Sequence, residues 1–150
     1  MRQHRRHAWV LILLLDEIMK PASADGMAAL PNDVLIVEDD PLIALDFEDT
    51  ILGFGVKTVR TAGSVARALE MIADRVPDFA LLDVGLVRER SFAIAERLDA
   101  LKIPFVFVTG YGAAGTFPAE FARRPRLQKP YLAEELKALL YGRSDGAAKR

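Results

Sequence analysis

Polar residues that could do chemistry together follow four short apolar runs of this chain. In chain order they are Glu38, Asp39 and Asp40, then Asp83, then Thr109 and finally Lys129. Carboxylates that lie close together repel one another, and Mg²⁺ relieves this repulsion because hard oxygen atoms are its preferred ligands. An ammonium and a hydroxyl beside such an ion could neutralise the charge of a phosphoryl group during its transfer. The pattern therefore favours phosphoryl transfer, with the carboxylate of Asp83 as a nucleophile that forms an acyl phosphate.

The elements that must position these residues are alternating strands and helices from Asn32 onward. Apolar or alternating runs predict strands at 34–38, 56–62, 79–84, 104–109 and 126–129. Helical periodicity follows over 41–54, 64–76, 91–101 and 131–141, with Asp40 and Ser64 as helix N-caps. Such alternation is typical of a doubly wound α/β fold, here a five-stranded parallel sheet with helices on both faces. In that fold the strands' carboxyl ends meet at one edge, so the polar residues should converge there.

Each predicted helix carries an apolar stripe that should face the sheet. The stripes are Ile43, Phe47, Ile51 and Phe54; Val65, Leu69, Ile72 and Val76; Ile94, Ala95, Leu98 and Leu101; and Leu132, Leu136, Leu139 and Leu140. Together with the strands they predict one hydrophobic core on each face of the sheet.

The composition narrows the function further. The chain has 150 residues, of which 51% are hydrophobic and 27% charged, and its net charge is -1. One soluble domain is expected, without the basic excess that binding to nucleic acid would favour. No cysteine is present, which excludes disulfides, thiolate metal sites and cysteine nucleophiles. The two histidines, His4 and His7, both precede the predicted domain, so catalysis by histidine within it is not expected.

A glycine motif after the fourth strand needs a separate interpretation. Gly110, Gly112 and Gly115 have the spacing G-x-G-x-x-G, which is a dinucleotide-binding motif when it follows the first strand of a fold. Here no clear helix begins at Gly115, and the next strand ends in Gln128 and Lys129 rather than in an acid. The match is interpreted as coincidence, and Gly110 is expected to keep the approach to the acidic edge open.

The runs VLIVEDD, LLDV, FVFVTG and QKP, in this order, resemble the receiver domain of two-component response regulators. The 44 residues from Asp39 to Asp83 (83 − 39) are the interval usual in that family, and the resemblance runs from about 34 to 141. It implies a flavodoxin-like fold with strand order 2-1-3-4-5. It also implies a cis peptide bond between Lys129 and Pro130.

The resemblance also implies a role for each site residue. Asp83 would be the phosphoacceptor, Thr109 the switch hydroxyl and Lys129 the lysine that contacts the phosphoryl group. Mg²⁺ would be held by Glu38, Asp39, Asp83 and the backbone carbonyl of Gly85.

The run PFVFVTGYG is similar to the signature of a receiver subgroup common in alphaproteobacteria, whose members are typically stand-alone. Val108 stands where that signature has alanine, and Arg126 replaces the aromatic residue usual three positions before the lysine. Tyr111 is therefore predicted to act as the switch residue in place of that aromatic. Receiver domains normally have a full fourth helix in the region of residues 112–124. Because this segment is short and rich in glycine here, that helix is expected to be short or disordered.

The predicted organisation has three parts. Residues 1–31 form an N-terminal extension, expected to be disordered or an artefact of the start site, with Met27 as an alternative start. A short docking helix or an export signal is the alternative, because a basic start precedes the apolar run 8–15. This run is too short to span a membrane. Residues 32–141 form the receiver domain, and 142–150 a flexible tail too short to be an output domain.

The predicted function is that of a single-domain response regulator in the cytoplasm. A sensor histidine kinase would phosphorylate it, and output would go through a histidine phosphotransfer protein or a downstream effector. It would not be an enzyme apart from its own phosphorylation and dephosphorylation. One alternative is a degenerate receiver-like interaction module, which the complete set of site residues disfavours. The other is an aspartyl-nucleophile phosphatase, which needs a second acid two residues after the nucleophile, where Gly85 stands.

Overall fold

The computed structural model describes residues 29–85, 91–110 and 117–142. Within these ranges the chain forms a five-stranded parallel sheet and four α-helices. The strands are β1 (Asp33–Val37), β2 (Thr58–Ala62), β3 (Phe79–Asp83), β4 (Phe105–Thr109) and β5 (Arg126–Gln128). The helices are α1 (Pro41–Gly53), α2 (Val65–Asp74), α3 (Phe92–Ala100) and α4 (Ala133–Tyr141). The strand order β2-β1-β3-β4-β5 confirms the predicted doubly wound topology.

The core lies in two layers, one on each face of the sheet. Successive side chains of a strand point to opposite faces, so each central strand contributes to both layers. Helices α2 and α3 cover the layer that contains Leu35, Val37, Ala80, Leu82 and Phe107. Helices α1 and α4 cover the layer that contains Val34, Ile36, Leu81, Val106 and Val108. Because both faces are covered, every residue of β3 and β4 is buried, and these strands form a rigid support for the residues at their ends.

Local signals in the sequence start the first two helices as predicted. The side chain of Asp40 accepts hydrogen bonds from the backbone N–H groups of Leu42, at 2.9 Å, and Ile43, at 3.4 Å. Ser64 accepts one from the backbone N–H of Arg67 at 3.1 Å. Each cap satisfies backbone donors that the first turn of a helix leaves without partners.

Two residues of the predicted apolar stripes are exposed, so their assignment to the core was wrong. Val76 is 47% exposed because α2 ends at Asp74 and the periodicity no longer orients the chain beyond it. Leu132 is 67% exposed because it is the N-cap of α4, which begins at Ala133 instead of Tyr131. Leu136 and Leu140 of the same stripe are fully buried.

Between β4 and β5 the described residues contain only one short 3-10 helix, Ala119–Phe121. Its Phe121 is buried, and its ring centroid lies 5.6 Å from that of Phe107 and 5.9 Å from that of Phe92. The expectation of a short helix in this region agrees with this element, whereas 111–116 lie outside the described residues. In the part of the chain that the structure describes, no helix has the length and apolar character needed to cross a membrane.

Candidate functional site

The acidic residues converge at the carboxyl ends of β1 and β3, which are neighbours in the sheet. Val37 pairs with Leu82, so Glu38 and Asp83 follow at adjacent positions. Glu38 is held there by its backbone N–H, which donates to the carbonyl of Ala62 at 3.0 Å. Carboxylate oxygens of Glu38, Asp39 and Asp83 lie within 4.8 Å of one another. Glu38 and Asp83 are buried, while Asp39 is exposed, so the cluster is open to solvent on one side.

Lys129 reaches this cluster from the end of β5. Its backbone N–H donates to the carbonyl of Thr109 at 2.8 Å, which extends the pairing of β4 and β5 by one residue. Its Nζ lies 3.6 Å from Oε2 of Glu38 and 3.8 Å from Oδ2 of Asp83. The peptide bond from Lys129 to Pro130 is cis, as predicted. One ammonium therefore faces three acidic side chains at this edge of the sheet.

The environment of Glu38 shows the energetic consequence of this crowding. The pKa of Glu38 is raised from 4.5 to about 8, first by burial and then by its hydrogen bond with Asp83 and the charge of that residue. The ammonium of Lys129 opposes this shift without cancelling it. Oε2 of Glu38 is buried and has no hydrogen-bond partner among the described residues. Such an atom is unfavourable unless another group satisfies it.

A magnesium ion fits this set of donors. Three acidic side chains at one point supply hard oxygen ligands, and the buried Oε2 of Glu38 has no hydrogen-bond partner among the described residues. Two added positive charges would also offset the repulsion that raises the pKa of Glu38. The acids line an open cleft of about 580 Å³ with Gly85, whose backbone N–H donates to Oδ1 of Asp83 at 2.9 Å. The carbonyl of Gly85 as a further ligand stays a prediction.

Thr109 and Gly110 border the same edge from β4. Thr109 is 9% exposed and lies one residue beyond Val108, which pairs with Asp83 in the sheet. Gly110 lines the cleft, and a Cβ at this position would meet no described atom within 4 Å. Among the described residues, Gly110 therefore places no side chain at the approach to Asp83 from β4. The predicted switch residue Tyr111 lies outside the described residues, and so do 86–90 of the loop after β3.

Arg126 stands where the sequence lacks the expected aromatic residue, and it has contacts of its own. Its guanidinium carbon lies 3.6 Å from the centroid of the Phe117 ring. Its Nη2 donates to the carbonyl of Ala122 at 2.9 Å. Arg126 therefore connects β5 to the segment that contains the 3-10 helix.

Two residues next to the site were missed by the sequence reasoning. The hydroxyl of Tyr131 donates to Oδ2 of Asp46 at 3.0 Å, and its ring stacks on Phe47 with centroids 4.8 Å apart. The position of Tyr131 directly after the QKP motif was the sequence feature that could have indicated its place beside the site. Asp46 carried no such signal, because 85 residues separate it from Tyr131 in the sequence.

Comparisons with known proteins agree with this architecture. The solution structure of SdrG from Sphingomonas melonis Fr1 superimposes with a TM-score of 0.66 at 42% identity and covers 76% of this chain and 96% of that one. The sensory transduction protein LytT of Enterococcus faecalis is 33% identical over 110 residues, which are 71% of this chain and 46% of LytT. The phyllosphere-induced regulator PhyR of Methylorubrum extorquens is 30% identical over 101 residues, or 65% of this chain and 36% of PhyR.

The chain thus spans less than half the length of these two curated relatives. Its sequence from 34 to 140, which contains the acidic edge and the five strands apart from the first residue of β1, matches the family model of the response regulator receiver domain. The chain belongs to the response regulator receiver family.

Proposed function

We propose that this domain accepts a phosphoryl group on Asp83 from a phosphohistidine of a sensor histidine kinase. The observation that carries the proposal is the position of Asp83, a buried carboxylate at the end of a central strand with Nζ of Lys129 3.8 Å from its Oδ2. Glu38 and Asp39 complete an acidic group beside it. Each of the three belongs to a motif through which the chain resembles receiver domains.

In the proposed step an oxygen of Asp83 attacks the phosphorus atom of the phosphohistidine. An O–P bond forms, the N–P bond breaks, and its electron pair returns to the imidazole nitrogen of the kinase. Oδ1 of Asp83 accepts a hydrogen bond from Gly85, so we assign the attack to Oδ2, on the side of Lys129. The ammonium of Lys129 and the hydroxyl of Thr109 would bind phosphoryl oxygens as charge develops on them.

Glu38, Asp39, Asp83 and the carbonyl of Gly85 would hold Mg²⁺ in this proposal. When bound, the ion supplies positive charge to the phosphoryl oxygens and to the carboxylates. Burial of Glu38 and Asp83 also excludes water from one side of the site, which strengthens the electrostatic interactions there. The proposal includes no reaction on another substrate, and the location is the cytoplasm.

Output is proposed to pass through Thr109 and Tyr111 to a histidine phosphotransfer protein or a downstream effector. A hydrogen bond from Thr109 to the phosphoryl group would pull on the chain that follows, where Tyr111 lies between Gly110 and Gly112. Beryllofluoride is a suitable probe, because a structure of the BeF3-activated conformation exists for SdrG, which is 42% identical. Amide exchange over 112–122 should slow when the probe binds. Unchanged exchange there, with changes only in α4, would place the switch elsewhere.

The phosphoacceptor is tested with acetyl phosphate and Mg²⁺, followed by the intact mass of the protein. Wild type should gain one phosphoryl group and Asp83→Asn none, because an amide cannot form the acyl phosphate. Asp74→Asn, which changes an acid at the end of α2, is the matched control and should behave as wild type. Equal uptake by wild type and Asp83→Asn would refute the assignment. A wild type that binds a kinase but takes up no phosphoryl group would favour the interaction module.

A further inference from the structure

The ammonium of Lys129 is not held in place by hydrogen bonds to the two buried acids. Its distances of 3.6 Å to Glu38 and 3.8 Å to Asp83 exceed the 2.7–2.9 Å or so of a charge-assisted hydrogen bond. The side chain is 25% exposed and has four flexible bonds, so these contacts alone restrict it weakly. The direction in which it points therefore depends on how firmly its own backbone is placed.

That backbone is anchored on two sides. On the sheet side, the N–H of Lys129 donates to the carbonyl of Thr109 at 2.8 Å. On the helix side, Tyr131, two residues later, is fixed against α1. Its hydroxyl donates to Oδ2 of Asp46 at 3.0 Å, and its ring lies parallel to that of Phe47, with an interplanar angle of 3°. Phe47 is 1% exposed, so the ring of Tyr131 rests on a rigid part of the core.

The hydrogen bond from the hydroxyl of Tyr131 to Asp46 is maintained at neutral pH. The pKa of Tyr131 is raised from 10.0 to about 12, first by burial and then by the hydrogen bond with Asp46 and the charge of that carboxylate. The hydroxyl therefore stays protonated and remains a donor. A hydrogen bond from a neutral hydroxyl to a carboxylate is among the stronger ones in proteins.

We propose that Tyr131 and Asp46 are positioning residues that aim the ammonium of Lys129 at Asp83. The inference rests on the proposed phosphoryl transfer and adds Tyr131, together with Asp46 of α1, to the residues that support it. Loss of the hydrogen bond between Tyr131 and Asp46 would leave the sheet-side anchor and the ring contact with Phe47 as the restraints on Lys129, and would let the ammonium sample more positions. A loosely placed charge neutralises the phosphoryl group less well in the transition state, so the rate falls although the acids are intact.

The test measures the rate of phosphorylation by acetyl phosphate at saturating Mg²⁺, together with Mg²⁺ affinity from calorimetry. Tyr131→Phe removes only the hydroxyl and keeps the ring on Phe47, and Asp46→Ala removes the acceptor. Each should lower the maximal rate about three- to tenfold and leave Mg²⁺ affinity within about twofold of wild type. Asp46→Asn keeps an oxygen acceptor and should restore most of the rate. Tyr141→Phe, the same substitution at the end of α4, should phosphorylate as wild type.

The two substitutions should also be non-additive, because they break the same hydrogen bond. Tyr131→Phe combined with Asp46→Ala should be no slower than the slower single variant. A wild-type rate for Tyr131→Phe, in a protein whose uptake depends on Asp83, would overturn the inference and leave the proposed function standing. The inference would also be overturned if Tyr131→Phe and Asp46→Ala lowered the rate, the Mg²⁺ affinity and the melting temperature together, and Asp46→Asn did not restore the rate. A wild type that takes up no phosphoryl group would instead refute the proposed function.

Discussion

Replacement of Glu38 by glutamine in the metal-free protein tests the electrostatics of the acidic cluster. Glu38 is 4% exposed, and burial together with Asp83 raises its pKa from 4.5 to about 8. At neutral pH the folded protein therefore keeps a proton on this residue that the unfolded chain has lost. Glutamine has the same shape and no such proton, so Glu38→Gln should remove this dependence on pH.

The sign and size of the effect follow from proton linkage. Between pH 4.5 and about 8 the folded state binds the extra proton, so the stability of wild type falls as pH rises. The contribution is fully present below 4.5 and lost once the pH has passed the folded value of about 8. Each rise of one pH unit inside this window lowers the free energy of unfolding by about 1.4 kcal/mol. From about pH 5.5 to about pH 7.5, wild type should lose about 2–3 kcal/mol relative to Glu38→Gln.

Urea unfolding followed by circular dichroism, with a chelator present, measures this difference. Glu96→Gln, at an exposed position of α3, is the matched control and should follow wild type across the range. Saturating Mg²⁺ should reduce the difference in pH dependence between wild type and Glu38→Gln, because a cation bound at the site stabilises the ionised form of Glu38. Parallel stability curves for wild type and Glu38→Gln without metal would refute the reasoning about Glu38.

Three further predictions concern the metal site, the contact of Arg126 with Phe117 and the N-terminus. Millimolar Mg²⁺ should raise the melting temperature of wild type, and a melting temperature that does not respond would mean that the acids are not a metal site. Without metal, Asp39→Asn should be more stable than wild type, and it should lose both the response to Mg²⁺ and phosphorylation. Arg126→Ala should lower the free energy of unfolding by about 1–2 kcal/mol, because it removes the stack on Phe117 and a hydrogen bond; no loss in urea unfolding would contradict that estimate. A chain that begins at Met27 should melt and take up phosphate like the full chain; loss of either property would show that residues 9–15 pack on the domain.

The fold could be predicted because its signals are local. The runs that became β1, β3 and β4 are short and apolar, and Asp40 and Ser64 mark helix starts by side chains that satisfy the first turn. The predictions failed at helix boundaries, since the apolar periodicity includes Val76 beyond the end of α2 and Leu132 before the start of α4. Parallel pairing then brings the ends of neighbouring strands together, which is why Glu38 and Asp83 could be expected to meet.

Residue types and their spacing were enough to predict the order of elements, the polar residues at the strand ends and the resemblance to receiver domains. Each of these depends on residue type and spacing along the chain. The folded chain was needed to show which groups are buried, how far Nζ of Lys129 lies from each acid, and that Tyr131 is hydrogen-bonded to Asp46. The physical reason is that burial and distance arise from packing between residues far apart in sequence. The raised pKa of Glu38 is such a property, since it results from burial and from neighbours that the chain brings together only on folding.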